Sequence, residues 1–349
     1  MEEKASPRPG RSARARAAPT MRDVAAAAGV SPMTVSRTLR GDARVTEERR
    51  SRVLAAVAEL GYRRNDIARS FSGRSSSGVI GLAITNLGNP FYSELALGVQ
   101  QVAADHGLQM MIGSTEEALD KERALVDDFA SRRVDGLIVV PSSREEHHHL
   151  DPAGLLNVPV VLAAAPPEGL ALDSVLLDDF GGAREAARRL CIEGHRRIGF
   201  LGLPGTLWTG AERLRGYRAA HEELGHPVDE RLIRDITPTD AAADRAVIEL
   251  MALEEPPTAI FAANNRHTLA ACRYVHQTGH SLRIVGFDDI PAAELFSVPL
   301  SVVSYSATEL GSRAAELLVS RLRGTQESAR AEPERITLPT SLKHYGVDG

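Results

Sequence analysis

Residues 20–41 read T-M-R-D-V-A-A-A-A-G-V-S-P-M-T-V-S-R-T-L-R-G. Thr20 with Asp23 three positions on forms a capping box, which satisfies free backbone N–H groups at a helix start. Val24, Ala27 and Ala28 then share one face at helical spacing. Gly29 ends the helix where a left-handed backbone costs little. Ser31 caps a second helix, and Pro32 suits its first position. Val35 and Leu39 face inward, which leaves Met33, Thr34, Ser36 and Arg37 pointing outward or sideways. A third helix follows Thr46, with Glu47 and Glu48 at its electropositive end and Val53, Leu54, Val57 and Leu60 as its apolar stripe.

Two short helices around a glycine turn are either an ordinary helical hairpin or a helix-turn-helix, whose second helix enters a major groove. Charge separates the two. Residues 1–77 hold 16 of the 41 Lys+Arg but only 8 of the 46 Asp+Glu, so they carry about +8 and leave about −13 to the remainder. A basic end on an acidic body is what phosphate binding by that end requires.

The pattern D-V-A-x-x-A-G-V-S-x-x-T-V-S-R-x-L runs from Asp23 to Leu39, and V-x-x-x-x-R-x-x-V-x-x-A-x-x-x-L-G-Y from Val45 to Tyr62. Together they resemble the DNA-binding headpiece of the LacI-type (LacI/GalR) transcription regulators. The resemblance implies a homodimer on a near-palindromic double-stranded operator, most often as a repressor. It makes Met33 and Arg37 the base readers, with Pro32 in apolar contact. Thr20, Ser31, Thr34 and Ser36 become candidate DNA contacts, Thr34 and Ser36 to phosphates. Many relatives carry polar residues at the positions of Pro32 and Met33, so this half-site is expected to lean on thymine methyls.

At 349 residues and 43% apolar content, the chain suits a small headpiece on a larger body of two lobes. No apolar run approaches the ~18 residues of a membrane span, and the N-terminus lacks the apolar core of a signal peptide. A cytoplasmic, nucleoid-associated protein is expected. Residues 1–19, rich in Arg, Pro, Ala and Ser, read as a disordered basic arm, and 20–64 as the headpiece. Cys191 and Cys272 are too few and too far apart for a disulfide framework or a zinc site. No metal or cofactor is expected.

Residues 65–77 link headpiece to body. Asn65 can cap a short helix through Phe71 that is marginal alone. In the LacI-type family this segment is a hinge helix with the pattern P-N-x-x-A-R-x-L, which inserts an apolar wedge into the minor groove. Here R-N-D-I-A-R-S-F keeps Asn65, Ala68 and Arg69, puts Arg64 in place of the proline, and makes Phe71 the wedge.

From residue 78 the pattern becomes apolar strands alternating with helices: strands at 79–84, 108–112, 136–140, 158–162, 197–201, 258–262 and 283–287. Such alternation indicates parallel sheets covered on both faces. The fold class is therefore α/β, a three-helix headpiece plus a two-lobed core. The family resemblance makes that core, 78–349, periplasmic-binding-protein-like. It implies an N-lobe of about 78–191 and 305–330 and a C-lobe of about 192–304 and 331–349.

Ligands of such folds bind at the strand carboxyl ends, between the lobes. N-P-F (89–91), R-L-R-G-Y (213–217), A-A-N-N (262–265) and G-F-D-D (286–289) match family motifs there. The resemblance thus implies an effector site of Asn89, Phe91, Arg213, Asn264 and Asp288, with Asp178, Trp208 and Tyr305 as further candidates, for a sugar or related metabolite. Asn265 stands where the family has Asp, and Ala164–Ala165 where relatives carry Asp-Arg. These departures, with the aromatics, suggest a ligand less hydroxylated or more aromatic than a simple hexose.

The rival classes are an enzyme or a solute-binding protein on the same kind of fold, without DNA function. Neither a P-loop nor a G-x-S-x-G elbow occurs, and the glycines at 199, 202 and 205 miss the dinucleotide spacing. H-E-E-L-G-H (221–226) puts Gly225 where a second zinc ligand belongs. Glu145, Glu146 and His147–His149 read as a solvated surface run.

Overall fold

The computed structural model describes residues 19–39, 41–62, 76–237, 239–296, 298–324 and 332–346. The basic arm apart from Pro19, and the hinge positions Asn65, Ala68, Arg69 and Phe71, lie outside the described residues. The chain divides into two compact units, 1–75 and 76–349.

In the first unit, α1 (Met21–Ala28), α2 (Pro32–Leu39) and α3 (Glu47–Leu60) enclose a small core of Val24, Ala25, Ala28, Val35, Val53 and Ala56. Two expectations are corrected. Ala25, not Ala27, is the second buried alanine of α1, because α3 lies on that side. Leu54 and Leu60 are 50% and 36% exposed, since α3 turns Val53, Ala56 and Val57 inward at i, i+3, i+4 spacing instead.

The second unit runs β1 (Val79–Ile84), α4 (Pro90–Asp105), β2 (Gln109–Ser114), α5 (Leu119–Ser131), β3 (Gly136–Val139), β4 (Val160–Ala163), β5 (Asp173–Leu177) and α6 (Asp179–Ile192). It continues through β6 (Ile198–Gly202), α7 (Trp208–Glu223), β7 (Ile233–Asp235), α8 (Asp240–Met251), β8 (Ala259–Ala262), α9 (Asn265–Thr278), β9 (Arg283–Phe287) and β10 (Leu300–Ser304). α10 (Ala307–Arg323), β11 (Arg335–Leu338) and β12 (Ser341–Tyr345) close it. Two six-stranded sheets result, ordered β2-β1-β3-β4-β5-β11 and β7-β6-β8-β9-β10-β12. Among the described residues every pairing is parallel except β10 with β12, where Val303 opposes Leu342. β1, β3, β4, β5, β6, β8 and β10 are buried almost throughout, as strands covered by helices on both faces must be.

The chain crosses between the lobes after β5, after β10 and after β11. The first crossing therefore falls at 178, not 191: α6 packs on α7 and the second sheet, its Ala183, Ala186, Ala187 and Leu190 sharing a core with Phe200 and Phe261. The last falls at 339–340, because β11 pairs with β5 in the first sheet. In the first lobe α4 and α10 meet at glycines. A Cβ on Gly98 would lie 2.0 Å from the Thr308 carbonyl oxygen, and one on Gly311 would lie 2.1 Å from that of Leu95.

The 145–149 run is solvated only in part: Glu145, Glu146 and His148 are exposed, but the other two histidines are not. His147 is buried, its Nε2 donating to the Ser143 carbonyl at 2.8 Å while Nδ1 accepts from Glu168 N–H at 2.9 Å. His149 Nε2 lies 2.8 Å from Glu122, a carboxylate with no exposed surface that also accepts from Ser142 N–H. A buried carboxylate needs partners, and this loop supplies them.

Candidate functional site

In the first unit the Thr20 hydroxyl and Asp23 form the reciprocal cap of α1: Asp23 accepts from Thr20 N–H at 2.7 Å, and Thr20 Oγ1 accepts from Asp23 N–H at 3.3 Å. The Thr20 hydroxyl, which donates to Asp23 Oδ2 at 2.7 Å, and the Thr20 N–H hold the Asp23 carboxyl below its ordinary range. Thr20→Ala should cost the headpiece about 1 kcal/mol; hydrogen exchange of the Asp23 and Val24 amides in the full chain will read it as faster exchange. Gly29 takes φ 62° and ψ 40°, returning the chain toward α2. The turn is fastened by a residue that sequence reasoning missed: Arg52 of α3 donates to the Ala28 carbonyl at 2.6 Å, across 24 residues. Ser31 Oγ accepts from Thr34 N–H at 3.2 Å, and the two hydroxyls lie 2.9 Å apart. On α2, Val35 and Thr38 are buried, whereas Pro32, Met33 and Arg37 are exposed, Met33 at 58%. Ser36 is half-buried. α2 therefore presents a face with an apolar thioether and a guanidinium.

The second unit holds a cleft between its sheets, about 750 Å³ counting its open mouth. Asn89, Phe91, Trp208, Arg213, Asn264, Asp288 and Tyr305 all line it. All but Arg213, which lies in the second turn of α7, sit where a strand ends or a helix begins. Asn89 and Asn264 are the N-caps of α4 and α9, accepting from Phe91 N–H at 3.1 Å and His267 N–H at 2.9 Å. Asp288 follows β9 with φ 71°, and Tyr305 sits at the second crossing. Trp208 is the first residue of α7. Asp178 does not line the cleft: it is exposed and caps α6, accepting from Gly181 N–H at 2.8 Å. Its neighbour Asp179 is the carboxylate that matters, because the turn into α6 swings one aspartate outward and buries the next.

Arg213 is the centre of the site. It is 4% exposed, its guanidinium 3.6 Å from the Phe287 ring centroid. Nε donates to Asp179 at 2.8 Å, one Nη to the Ala263 carbonyl at 2.6 Å, and the same Nη lies 3.4 Å from Asp288. Burial pushes the Asp179 carboxyl up to about 6 despite the arginine beside it, and its Oδ2 has no partner among the described residues. Burial alone would lower the Arg213 pKa, but Asp179 and Asp288 outweigh it and raise the value. Tyr305 donates to Asp288 at 2.6 Å, and burial with that neighbouring carboxylate holds its phenol protonated. Asp179 thus keeps a proton in the native state between 3.8 and about 6 that the unfolded chain has released. Its contribution favours folding at the acid end and is lost as pH rises through that window. The stability of the wild type relative to Asp179→Asn should accordingly fall from pH 4 to 6; urea midpoints across that range measure it.

Sequence reasoning missed Thr85, Asn86, Tyr92, Glu117 and Arg266, which also line the cleft. Thr85 donates to Tyr92 Oη at 2.5 Å, and burial pushes the Tyr92 phenol up to about 12. Burial likewise raises Glu117, opposed in part by Arg266. Asn86 and Glu117 lie just beyond the carboxyl ends of β1 and β2, so the strand-end rule applied to each strand would have found them. Asn265 joins the lobes, donating from Nδ2 to Asn89 Oδ1 at 2.8 Å. Ala164 and Ala165 form part of the wall. No group of three or more His, Cys, Asp or Glu side chains among the described residues is placed to hold a metal, and no described helix is long and apolar enough to cross a membrane.

Two family models match the chain: bacterial regulatory proteins of the lacI family over residues 20–65, and the periplasmic binding protein-like domain over 187–344. The HTH-type transcriptional regulator CelR of Thermobifida fusca is 34% identical over 339 residues, covering 93% of this chain and 96% of its own. A solved CelR–cellobiose complex superposes with a TM-score of 0.68 at 31% identity, over 93% of this chain and 98% of that one. The lac repressor dimer bound to operator and the anti-inducer ONPF shares the fold, with a TM-score of 0.81 at 24% identity over 93% and 98% of the two chains. With a headpiece and a cleft of this construction, and a relative this similar along nearly its whole length, the chain belongs to the LacI family of bacterial regulatory proteins.

Proposed function

We propose that the protein is a transcriptional repressor that binds a near-palindromic operator as a homodimer, in the cytoplasm and on the nucleoid, and that a small molecule held in the cleft sets its DNA affinity. The observation that carries this reading is the outer face of α2, where Pro32, Met33 and Arg37 stand exposed while Val35 and Thr38 fill the core behind them. Two copies related by a two-fold axis read two half-sites. Met33 and Pro32 offer apolar contact to thymine methyls, Arg37 a bidentate fork to guanine, and Thr34 and Ser36 contacts to phosphate. Phe71 is the proposed wedge at the operator centre.

The cleft supports the second half of the proposal. Its walls come from both sheets, so a ligand that fills it changes the angle between lobes and with it the spacing and helicity of the two copies of 65–77. The CelR complex, with cellobiose, is a similar chain carrying a small organic ligand. Selecting random duplexes with the purified protein and sequencing them tests the reading. A two-fold symmetric consensus is expected; binding without sequence preference would refute it.

A further inference from the structure

We propose that the ligand of this cleft is an uncharged, flat ring compound bearing carbonyl or ring-nitrogen acceptors, rather than a polyol or an organic anion; the inference rests on reading the cleft as the effector site. Three asparagines line it, Asn86, Asn89 and Asn264. Each has its Oδ1 fixed by a backbone N–H: Gly88 to Asn86 at 2.8 Å, Phe91 to Asn89 at 3.1 Å and His267 to Asn264 at 2.9 Å. An N–H can be accepted only by the oxygen, so the orientation of all three amides is dictated. What each turns elsewhere is its NH2. The oxygen of Asn89 is engaged a second time, by Asn265.

The carboxylate in the wall is engaged too. Asp288 accepts from Tyr305 at 2.6 Å on one oxygen and from Asn265 N–H at 3.3 Å on the other, and Arg213 lies 3.4 Å away. Among these lining side chains the free hydrogen-bonding capacity is therefore weighted towards donors, the three amide NH2 groups, with Glu117 and the second lone pairs of Asn86 and Asn264 the remaining acceptors. A sugar hydroxyl brings a proton for every pair of acceptor sites, and a buried donor left unmatched is costly. Carbonyl oxygens and ring nitrogens bring acceptors alone.

Charge rules against an anion. Arg213 already faces two carboxylates, and Arg266 faces Glu117 and Asp240. No cation among the described residues of the wall is left uncompensated. The remaining surface suits a flat apolar ring: Phe91 and Trp208 supply aromatic faces, and Ala164, Ala165 and Leu177 leave room beside them.

Isothermal titration of the full-length protein with coumarin, with sodium 2-hydroxycinnamate (the same skeleton opened to a carboxylate) and with glucose tests this. Coumarin should bind about tenfold tighter than either, the factor expected from one mismatched buried hydrogen bond. Asn86→Asp replaces the free NH2 by an oxygen at nearly constant shape, and should weaken coumarin about tenfold while the thermal midpoint holds. Glucose or the carboxylate binding as tightly as coumarin, no coumarin binding at millimolar concentration, or an unchanged affinity in Asn86→Asp overturns the inference. Operator affinity on the same samples, with and without coumarin, reports separately: tight coumarin binding with unaltered operator affinity would leave the cleft's chemistry standing and remove its regulatory role.

Discussion

Arg213→Ala should destabilise the core by about 3–5 kcal/mol, the cost of breaking a buried ion pair from one side. The substitution leaves Asp179 facing nothing, with one of its oxygens already unpartnered, and strips the Phe287 ring of the cation stacked on it. It also frees the Ala263 carbonyl at the end of β8, which helps to set the start of α9. Acid should relieve part of the loss. Without the guanidinium the Asp179 carboxyl has less to oppose its burial, takes up a proton more readily, and ceases to be an isolated charge. Denaturation midpoints of wild type and variant should therefore lie furthest apart near neutral pH and converge as pH falls. Arg213→Met with Asp179→Asn removes the cation and one of its two carboxylates and should recover part of the stability, since Asp288 keeps Tyr305 and the Asn265 N–H as partners. A gap that is independent of pH would mean that packing, and not the stranded carboxylate, dominates. The same arithmetic governs any ligand experiment on Arg213→Ala: a lost effector response counts as a lost contact only where the folded fraction is shown to be unchanged.

The sequence carried much of this because strand ends and helix caps have local signatures. Asn89 and Asn264 are helix caps with local signatures, and the short family motifs they share with Arg213 imply a place at the cleft, which all three line; the partners of Arg213 lie 34 and 50 residues away. Where the outcome depended on distant partners, local pattern was silent or misleading. Asp178 and Asp179 are adjacent and chemically identical, and only the direction of α6 decides which one meets Arg213. The family resemblance puts that helix in the first lobe, but its alanines pack with Phe200 and Phe261. Ala25 and Ala27 are equally acceptable to a helical pattern, and the position of α3 chooses between them. The 145–149 run reads as solvated from its composition alone, and three of its residues are exposed; the buried carboxylate of Glu122, 27 residues before His149, is what draws that histidine inward. Arg52 is the same case in the headpiece: a surface arginine by pattern, a clamp on the Gly29 turn by geometry.

Arg37→Ala should cost about 1–3 kcal/mol of operator affinity, concentrated at one base pair. Arg37 lies in the second half of α2 and is exposed; its guanidinium has a coulombic attraction to Asp42, whose carboxylate is already paired with Arg44, so it reaches DNA at little internal cost. The headpiece fold does not depend on it: the core of this unit is built from Val24, Ala25, Ala28, Val35, Val53 and Ala56. A loss of affinity therefore reports the interface and not unfolding. If Arg37 forks onto guanine O6 and N7, the variant loses discrimination at that position and keeps it elsewhere. Arg37→Lys should recover less than charge alone predicts, since an ammonium cannot reproduce a planar pair of donors. Fluorescence anisotropy against the selected operator and its single-position variants, at several salt concentrations, separates the alternatives. A penalty spread evenly over all sequences, with a shallower salt dependence, would make Arg37 a phosphate contact. Base reading would then fall to Met33 and Pro32, whose apolar surfaces favour thymine methyls but supply no hydrogen bond to fix a guanine. The half-site would be correspondingly permissive, and more of its specificity would have to come from the deformability of the operator centre, where Phe71 is proposed to act.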